Sequence, residues 1–300
     1  MCGIVPTVAG SPDKVRVRNP MKFHSINAEI YVPDHEAEDA ALARTTHIGI
    51  GAHQDDLEIM AIDGILCCKG TRDACFAGVI VTDGAGSPRA GAFKDFSDEQ
   101  MVQARNKEQK RAADIGAYGA QVLLAYPSAV VTDGNEPGPV EDIEALLSAA
   151  APEVVYTHNL MDKHDAHVAV ALRVIEAIRR LPRESRPGKL YGCEVWRDLD
   201  WLPDEDKVVF DCSAHEDLQR RLLEVFQSQI AGGKRYDLAA MGRRRANATY
   251  FEPHRVDELT GAVFGVDMTA LIEDDALDIA QFVSAFTAKF QSDVASRLRQ

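Results

Sequence analysis

The sequence predicts an α/β protein with a Rossmann-like, mostly parallel sheet and helices on both faces, plus an N-terminal arm and a C-terminal helical extension. Two observations carry this prediction. Short apolar, β-branched runs alternate along the chain with segments of helical period, which is the order expected of βαβ units. These runs are continuously apolar, which indicates strands that are buried on both faces of a parallel sheet.

The regular pattern begins near Thr45, and its elements follow in order. Strands are predicted at 46–52, 76–84, 121–125, 153–158, 189–196 and 207–213. Helices are predicted at 56–70, 98–116, 140–150, 165–181, 215–230 and 276–298. Residues 1–44 lack sustained periodicity and form the predicted irregular arm, with one short strand at 28–32. Residues 45–300 are predicted to form one domain, whose core motifs lie at 45–182.

Composition narrows the class of protein. A hydrophobic content of 46% over 300 residues is enough for a sizeable core. The net charge of −14, without a dominant stripe of lysine and arginine, speaks against a nucleic-acid partner held by phosphate contacts. Two short basic islands, at 180–189 and 241–248, are interpreted as solvated surface.

The same composition predicts a cytoplasmic protein that acts on a small molecule and does not engage a membrane. No apolar run reaches the roughly 18–20 residues of a membrane span, and the N-terminus lacks the apolar segment of a secretory signal. The six cysteines have no paired spacing, which indicates reduced thiols. No pattern fixes the oligomeric state, so a homo-oligomer is left open.

Polar side chains follow three of the predicted strands. The first strand ends in His53-Gln54-Asp55-Asp56, the second ends in Thr82-Asp83-Gly84, and the strand at 153–158 leads into the histidine-rich stretch 158–167. In a doubly wound sheet, ligands bind beyond the carboxyl ends of the strands. We therefore expect these side chains to meet at one edge of the sheet.

These clusters contain the donors of a catalytic metal site. The first supplies one histidine and two adjacent carboxylates, and the later one supplies two histidines three residues apart. Two imidazoles and one carboxylate leave a coordination position for water, as in catalytic zinc sites. The second carboxylate could accept a proton from that water. Residue types alone do not separate Zn²⁺ from Fe²⁺ or Co²⁺.

Each cluster also has a simpler interpretation when it is taken alone. Asp55 or Asp56 could cap the helix that follows, and His164 and His167 could lie on an exposed helix face. The occurrence of both clusters directly after predicted strands favours a joint site over two unrelated features.

Four motifs, in the correct order, resemble a known family. The stretch AHQDDLE (52–58) resembles the Ala-His-Pro-Asp-Asp-x-Glu signature of the LmbE/PIG-L family, zinc-dependent N-deacetylases that act mainly on N-acetylglucosamine-type amides. The stretch DKHDAH (162–167) is similar to that family's Asp-x-His-Pro-Asp-His. VTDGAGS (81–87) resembles its Thr-Asp-Gly loop, and ARNKEQKRAADIGA (104–117) its Arg-x-x-Glu helix. The likeness covers roughly residues 45–182.

The resemblance implies a role for each matching residue. The implied zinc ligands are His53, Asp56 and His167. Asp55 would be the general base that takes a proton from the attacking water, and His164, as imidazolium, would stabilise the oxyanion together with the metal. Either of these two residues would then protonate the leaving amine.

Further residues are predicted to contact the substrate. Arg105 matches a family arginine that does so, although a surface pair with Glu108 would also explain it. Asp83, in the loop after the second strand, is assigned to the same role. In CEVWRDLDW (193–201), Trp196 and Arg197 are predicted to form a wall for a sugar-like ligand, while a core position is the alternative for the tryptophan. Glu58 is expected to anchor its loop.

The chain departs from the family pattern at three positions. Gln54 replaces a proline, which removes no chemical group. Ala166 stands where the family has an aspartate that tunes the neighbouring histidine, so His164 would depend on Asp162 or Asp165 instead. Ser128 lies near the place where sugar-specific members carry an aspartate, which makes amide hydrolysis the firmer prediction and glucosamine the weaker one.

The predicted function is metal-dependent hydrolysis of an N-acetyl amide on a small amino-sugar-like substrate, releasing acetate and a free amine. An amidase of another N-acylated metabolite or thiol conjugate is the first alternative. A non-haem iron site is disfavoured, because such triads usually lie on all-β barrels. A non-catalytic, metal-stabilised domain that binds a sugar or nucleotide is the third possibility.

Overall fold

An eight-stranded sheet organises residues 21–299, the part of the chain that the computed structural model describes. Its strands are β1 (Glu29–Tyr31), β2 (His47–Gly51), β3 (Phe76–Thr82), β4 (Ala120–Tyr126), β5 (Val154–His158), β6 (Lys189–Cys193), β7 (Val208–Asp211) and β8 (Ala262–Asp267). Their order across the sheet is β1-β4-β3-β2-β5-β6-β8-β7. The five central strands, from β4 to β6, run parallel, whereas β1 and β8 pair antiparallel with their neighbours. The predicted mostly parallel sheet is confirmed.

Helices cover both faces of this sheet. They are α1 (Glu38–Ala43), α2 (Asp56–Met60), α3 (Ile62–Cys68), α4 (Asp98–Gly116), α5 (Ser128–Thr132), α6 (Gly138–Ala150), α7 (Asp165–Arg180), α8 (Glu216–Glu224), α9 (Gln227–Ile230), α10 (Tyr236–Tyr250), α11 (Ala270–Glu273) and α12 (Ile279–Arg297). Short 3₁₀ turns lie at Gly91–Phe93, Arg183–Ser185 and Asp204–Asp206. None of the helices within 21–299 is long and apolar enough to cross a bilayer.

Successive residues of β3 contribute to two apolar cores. Phe76 and Ile80 belong to the core that α2, α3, α4 and α8 cover, while Val79 and Val81 belong to the core beneath α1, α6 and α7. Alternate residues of a strand point to opposite faces, so one fully buried strand fills both cores. This is why the strand sequences are continuously apolar.

Two glycines of β2 allow the following helix to approach the sheet. A Cβ on Gly49 would lie 2.8 Å from Phe76 Cζ and 3.0 Å from Leu57 Cδ2, and one on Gly51 would lie 3.0 Å from Asp56 Cβ. The strand therefore needs small residues on this face. Because these glycines have no side chain, the first turn of α2, with Asp56, lies directly against the end of β2.

The structure differs from the prediction in helix boundaries and in elements that were not predicted, among them α10 and β8, which lies between β6 and β7 in the sheet. The predicted helix at 56–70 is two helices that break at Ala61, which is fully buried and has φ −100° and ψ 22°. Alanine favours helix, so tertiary packing imposes this break. The predicted helix at 215–230 is likewise divided into α8 and α9. The arm contains α1, and its first twenty residues lie outside the described range.

The second basic island is not solvated surface throughout, and that expectation is wrong for Arg244. Its side chain is buried within α10 and donates to the Glu58 carbonyl oxygen (2.6 Å) and to Gln219 Oε1 (2.9 Å). Because α10 packs beside α2 and α8, the arginine becomes a buried connection between regions that are 186 residues apart in the chain.

Candidate metal centre and active site

A cavity of about 470 Å³ opens at the carboxyl ends of the central strands. His53, Asp55 and Asp56, which follow β2, form part of its lining, and His164, at the start of α7, contributes from the neighbouring strand end. The expected meeting of polar side chains at this edge is therefore present in the structure. Residues from 195 to 243 form much of the remaining lining.

Two imidazole nitrogens and the two oxygens of one carboxylate lie close together at the base of the cavity, and their residues, His53, Asp56 and His167, are called the donor triangle. His53 Nδ1 lies 3.2 Å from His167 Nε2 and 3.4 Å from Asp56 Oδ2, while Asp56 Oδ1 lies 3.5 Å from His167 Nε2. The backbone N–H of His53 donates to Asp56 Oδ2 at 2.6 Å, which fixes the carboxylate at the strand end.

This triangle fits a small divalent cation. Zinc bonds of roughly 2.0–2.1 Å at tetrahedral angles separate the donor atoms by about 3.3 Å. The two imidazole nitrogens are 3.2 Å apart, and each lies 3.4 or 3.5 Å from one oxygen of the Asp56 carboxylate, which is close to that value. Two imidazoles and a carboxylate are also the donor types that zinc accepts. The residues present therefore fit the metal that the resemblance implies.

Opposite charges stabilise the arrangement of the donor triangle. Burial opposes ionisation of Asp56, but the neighbouring His167 and His158 hold the pKa of that carboxyl well below its usual range. Burial also opposes protonation of His167, yet Asp56 and Asp162 raise its pKa. A cation bound here would take the place of the proton on His167, since a metal ligand must be neutral imidazole.

His158 belongs to this centre and was not among the predicted site residues. It is fully buried at the end of β5, where its Nε2 accepts from the Ala52 N–H at 2.9 Å and its ring stacks 3.8 Å from that of His167. Burial and the charge of His167 lower the pKa of His158 to about 4. The available signal was its position as the last residue of a predicted strand.

Asp162 supports the second imidazole of the triangle. Its Oδ2 lies 3.5 Å from His167 Nδ1 and accepts from the Trp196 N–H at 3.1 Å. Its other oxygen accepts from the backbone N–H of His164, at 3.1 Å, and not from that residue's ring. A carboxylate behind a ligating histidine sets the orientation of its ring, so Asp162 supports His167.

Asp55 lies beside the triangle in an unusual backbone conformation. Its φ is +101°, and it occupies the N-cap position of α2 without making a side-chain cap hydrogen bond. Arg105 Nη2 lies 3.6 Å from Asp55 Oδ1, and Oδ2 is buried without a hydrogen-bond partner in the described range. Burial raises the pKa of Asp55 well above its usual range, against the opposing effect of Arg105.

A buried hydrogen-bond network holds Asp55 in this conformation. Its backbone N–H donates to Gln109 Oε1 at 3.2 Å, and Gln109 Nε2 donates to Glu58 Oε1 at 2.9 Å. The Tyr118 hydroxyl donates to the same Glu58 oxygen at 2.7 Å. Burial raises the pKa of Glu58 to about 7. The expected anchoring role of Glu58 is confirmed by these contacts.

His164 faces the cavity without a carboxylate on its ring. Its ring lies 4.5 Å from that of His167 and 4.9 Å from that of His53, and its Nδ1 is buried with no hydrogen-bond partner among residues 21–299. Burial, together with the charges of His167 and His53, lowers the pKa of His164. These surroundings disfavour the imidazolium form and leave Nε2 as the nitrogen available to the cavity.

Of the four predicted substrate-binding residues, two line the cavity and two do not. Arg105 and Trp196 line the cavity, with the guanidinium of Arg105 bonded to Ser87 Oγ and to the Gln54 carbonyl oxygen. Asp83 does not line it, because its side chain accepts from Ala85 N–H within its own loop. Arg197 is exposed and lies outside the cavity wall.

Sequence reasoning did not find several other lining residues. They are Gln229, Lys234, Tyr236 and Arg243. All of them come from the helical region after β7, where no motif marks a ligand site. The structure brings them opposite the donor triangle because α9 and α10 pack against α4 and α8.

Comparison with known proteins identifies the central part of the chain. Residues 48–178 match the family model described as PIG-L, GlcNAc-PI de-N-acetylase. Among curated proteins, none matches this sequence.

Several solved structures share the fold. A conserved protein from Thermus thermophilus is 18% identical, with 75% of this chain and 94% of that chain covered and a TM-score of 0.57. N,N'-diacetylchitobiose deacetylase from Pyrococcus horikoshii is 16% identical, covers 77% and 86% of the two chains, and has a TM-score of 0.57. The 4-carboxy-2-hydroxymuconate hydratase from Pseudomonas putida is 14% identical, covers 75% and 96%, and has a TM-score of 0.54.

A deacetylase and a hydratase thus share this architecture, so the fold alone does not name a reaction. The match to the family model is independent of these structures and spans all four motifs on which the resemblance rests. Residues 48–178 of this chain therefore form a domain of the PIG-L/LmbE family.

Proposed function

We propose that this chain is a metal-dependent N-deacetylase, which hydrolyses the acetamide of a small amino-sugar-like molecule to acetate and a free amine. The observation that carries the proposal is Asp55. Its carboxylate is buried beside the donor triangle of His53, Asp56 and His167 without belonging to it. A purely structural metal site has no use for such a group, because burying a carboxylate is costly.

The donor triangle is the proposed metal site. His53 Nδ1, His167 Nε2 and the Asp56 carboxylate would hold a divalent cation, with zinc as the expected ion. When bound there, the cation supplies Lewis acidity that polarises the amide carbonyl and makes water more acidic. Asp162 keeps the His167 ring oriented through its contact with Nδ1.

Asp55 moves the proton. Its Oδ2, which has no hydrogen-bond partner in the described part of the chain, accepts a proton from the attacking water. The raised pKa of this buried carboxyl makes it a stronger base than an exposed aspartate. The same proton is then delivered to the amide nitrogen as the C–N bond breaks. Water and amide are thereby converted to acetate and amine, and Asp55 returns to its starting state. Arg105, 3.6 Å from Oδ1, holds the carboxylate in place.

His164 stabilises the charge that develops on the carbonyl oxygen. Because its neighbours lower its pKa, the ring is neutral near pH 7, and a neutral imidazole still donates one N–H. Donation from Nε2 towards the cavity suits the burial of Nδ1. The role differs from the imidazolium of the family pattern, and the absence of a carboxylate at Ala166 agrees with that difference.

An amino-sugar-like substrate is supported by two observations. The family description and the printed name of the Pyrococcus horikoshii protein both describe deacetylation, in one case of an N-acetylglucosamine conjugate. In addition, Trp196 and Tyr236 line the cavity with their ring centroids 6.0 Å apart. Aromatic side chains with a polar edge suit a ligand that has both apolar faces and hydroxyl groups.

We further propose that residues 45–300 act as one unit. The donor triangle comes from residues 53–167, whereas Trp196, Tyr236 and Arg243 line the same cavity from the later part of the chain. Neither part alone would enclose a substrate.

The substitution Asp55→Ala tests the proposal. Metal content should stay at that of the unsubstituted protein, while release of acetate from N-acetylated amino sugars should fall by about 10²–10⁴-fold, the usual contribution of a general base. Metal analysis and an acetate assay measure the two quantities. Asp165→Ala is the matched control, because Asp165 is an exposed aspartate at the start of α7. A fully active Asp55→Ala variant would remove the mechanism.

A further inference from the structure

The cavity wall opposite the donor triangle carries positive charge. Lys234 and Arg243 line it, and Arg105 lies at its base. Among the described residues that line the cavity, the carboxylates are Asp55 and Asp56, both of which belong to the reaction centre. The whole chain carries a net charge of −14, so this wall is a local reversal of the overall charge.

Lys234 has no anionic partner within residues 21–299. The adjacent Arg235 is paired with Asp237 at 2.7 Å, whereas the Lys234 ammonium lies 5.3 Å from the centroid of the Trp196 ring. A second ammonium, that of the exposed Lys163, lies 5.7 Å from the same centroid. Both ammonium groups are thus placed against one indole. An anion in the cavity would supply the opposite charge that Lys234 lacks among the described residues.

Arg243 is fixed on the same wall. Its Nη1 donates to the Val195 carbonyl oxygen, and its Nε lies 3.6 Å from Asp198 Oδ2. These contacts hold a guanidinium at the cavity surface, where its remaining N–H groups are suited to carboxylate or phosphate oxygens.

Trp196 connects this wall to the reaction centre. Its backbone N–H donates to Asp162, which supports His167, and its ring lies 6.1 Å from that of His164. A molecule whose amide lies at the donor triangle can therefore extend along the indole towards Lys234. A cavity of about 470 Å³ has room for more than an acetamide group.

We propose that Lys234 and Arg243 form an anion subsite, and that the substrate carries a carboxylate or phosphate at the end remote from its amide. This inference rests on the proposed function, because it describes the far end of the same substrate. It assigns recognition to residues outside the four family motifs.

Binding of amine products tests the subsite without turnover. The probes are glucosamine as the reference, glucosamine 1-phosphate and glucosamine 6-phosphate as the phosphate arms, and muramic acid as the carboxylate arm. Calorimetric titration of the metal-loaded protein should show at least one anionic probe binding about tenfold more tightly than glucosamine, as expected for one charge-assisted contact. The arm that binds more tightly identifies the anion.

The variants compare lysines that differ in position and not in charge. Lys234→Ala should abolish the preference for the anionic probe, and Lys234→Arg should retain it. Lys107→Ala, which removes an exposed lysine of α4 outside the cavity lining, should leave it unchanged. The preference should also weaken as salt is added, because screening acts on partly exposed charges. A wild-type protein without preference, or a Lys234→Ala variant that keeps it, overturns the subsite.

Acetate release from N-acetylglucosamine and its phosphates separates the two proposals. If no substrate releases acetate, the deacetylase proposal fails, while the titrations still decide the subsite. If neutral and anionic substrates react with equal kcat/KM and Lys234→Ala changes neither, the subsite fails and the deacetylase stands.

Discussion

The two regions that enclose the cavity differ in the side chains they contribute. The region within 48–178 supplies imidazoles and carboxylates that contact one another at 3.2–3.5 Å, as in the pair of His53 and His167. The region from 195 to 244 supplies aromatic, apolar and cationic groups, such as Trp196 and Lys234. One contact from it to the surroundings of the donor triangle is the hydrogen bond from the Trp196 N–H to Asp162. We infer that the first region determines the reaction and the second determines the substrate.

One buried side chain joins these regions most directly. Arg244 of α10 donates to the carbonyl oxygen of Glu58, in the helix that carries Asp56, and to Gln219 of α8. Burial lowers the pKa of Arg244 to about 10, which leaves the guanidinium charged at neutral pH. The position of the reaction centre relative to the opposite wall therefore depends on a residue from the second region.

Arg244→Met should give the largest change in stability. The substitution keeps much of the side-chain volume but leaves the Glu58 carbonyl and Gln219 without their donor, so the free energy of unfolding should fall by about 2–4 kcal/mol. Urea denaturation measures it. Arg245→Met is the matched control, since Arg245 is exposed on the same helix. If the two variants are equally stable, the proposal that Arg244 connects the two regions is wrong.

The fold and the residues of the reaction centre could be predicted from the sequence, because both depend on patterns within short segments of the chain. Continuous apolar runs predicted β2, β3, β4 and β5, and the residues directly after β2 led to the donor triangle. In a parallel sheet the strand ends share an edge, so spacing along the chain predicts proximity in space. His158 was missed because its role depends on contacts with Ala52, Asp56 and His167, which only the folded chain brings to it.

Most residues of the opposite cavity wall could not be predicted from the sequence, because their position depends on how helices pack. Lys234, Tyr236 and Arg243 reach the cavity because α9 and α10 pack on α4 and α8, and sequence alone does not fix that packing. Trp196 and Arg197 were both predicted to line the wall, and of the two it is Trp196 that does so. Without a regular element to set the direction of these side chains, neighbouring residues cannot be distinguished by pattern.

Trp196→Ala tests whether the second region contributes to substrate binding and not to the chemical step. If Trp196 only binds the substrate, the substitution weakens the ground state and the transition state equally. It should then raise KM by about tenfold and leave kcat within a few-fold. Steady-state acetate release measures both constants. Trp201→Ala is the control, since Trp201 packs against Phe290 of α12 away from the cavity. An equal fall in kcat and kcat/KM would instead place Trp196 in the reaction.

His24 contacts the first region on α6, outside the cavity lining, and its substitution should give the smallest effect. Its Nδ1 lies 2.9 Å from Asp142 Oδ1 and its Nε2 lies 3.0 Å from Glu141, while the Tyr126 hydroxyl donates to the other oxygen of Asp142. The hydrogen bond to Asp142, opposed by slight burial and aided by both carboxylates, raises the pKa of His24.

A raised folded-state pKa fixes the direction of the pH dependence. The contribution of protonated His24 is fully present below the unfolded value of about 6.5 and is lost as the pH rises through the folded value. His24→Ala should therefore lower the free energy of unfolding by less than about 1 kcal/mol, because the side chain is 57% exposed, and by more at pH 6 than at pH 9. His254→Ala, at an exposed histidine, is the control for urea denaturation. Asp142 lies on α6, outside the cavity lining, so His24→Ala should leave kcat/KM unchanged while it lowers stability. A parallel loss of activity would show that the two regions enclosing the cavity depend on the N-terminal segment.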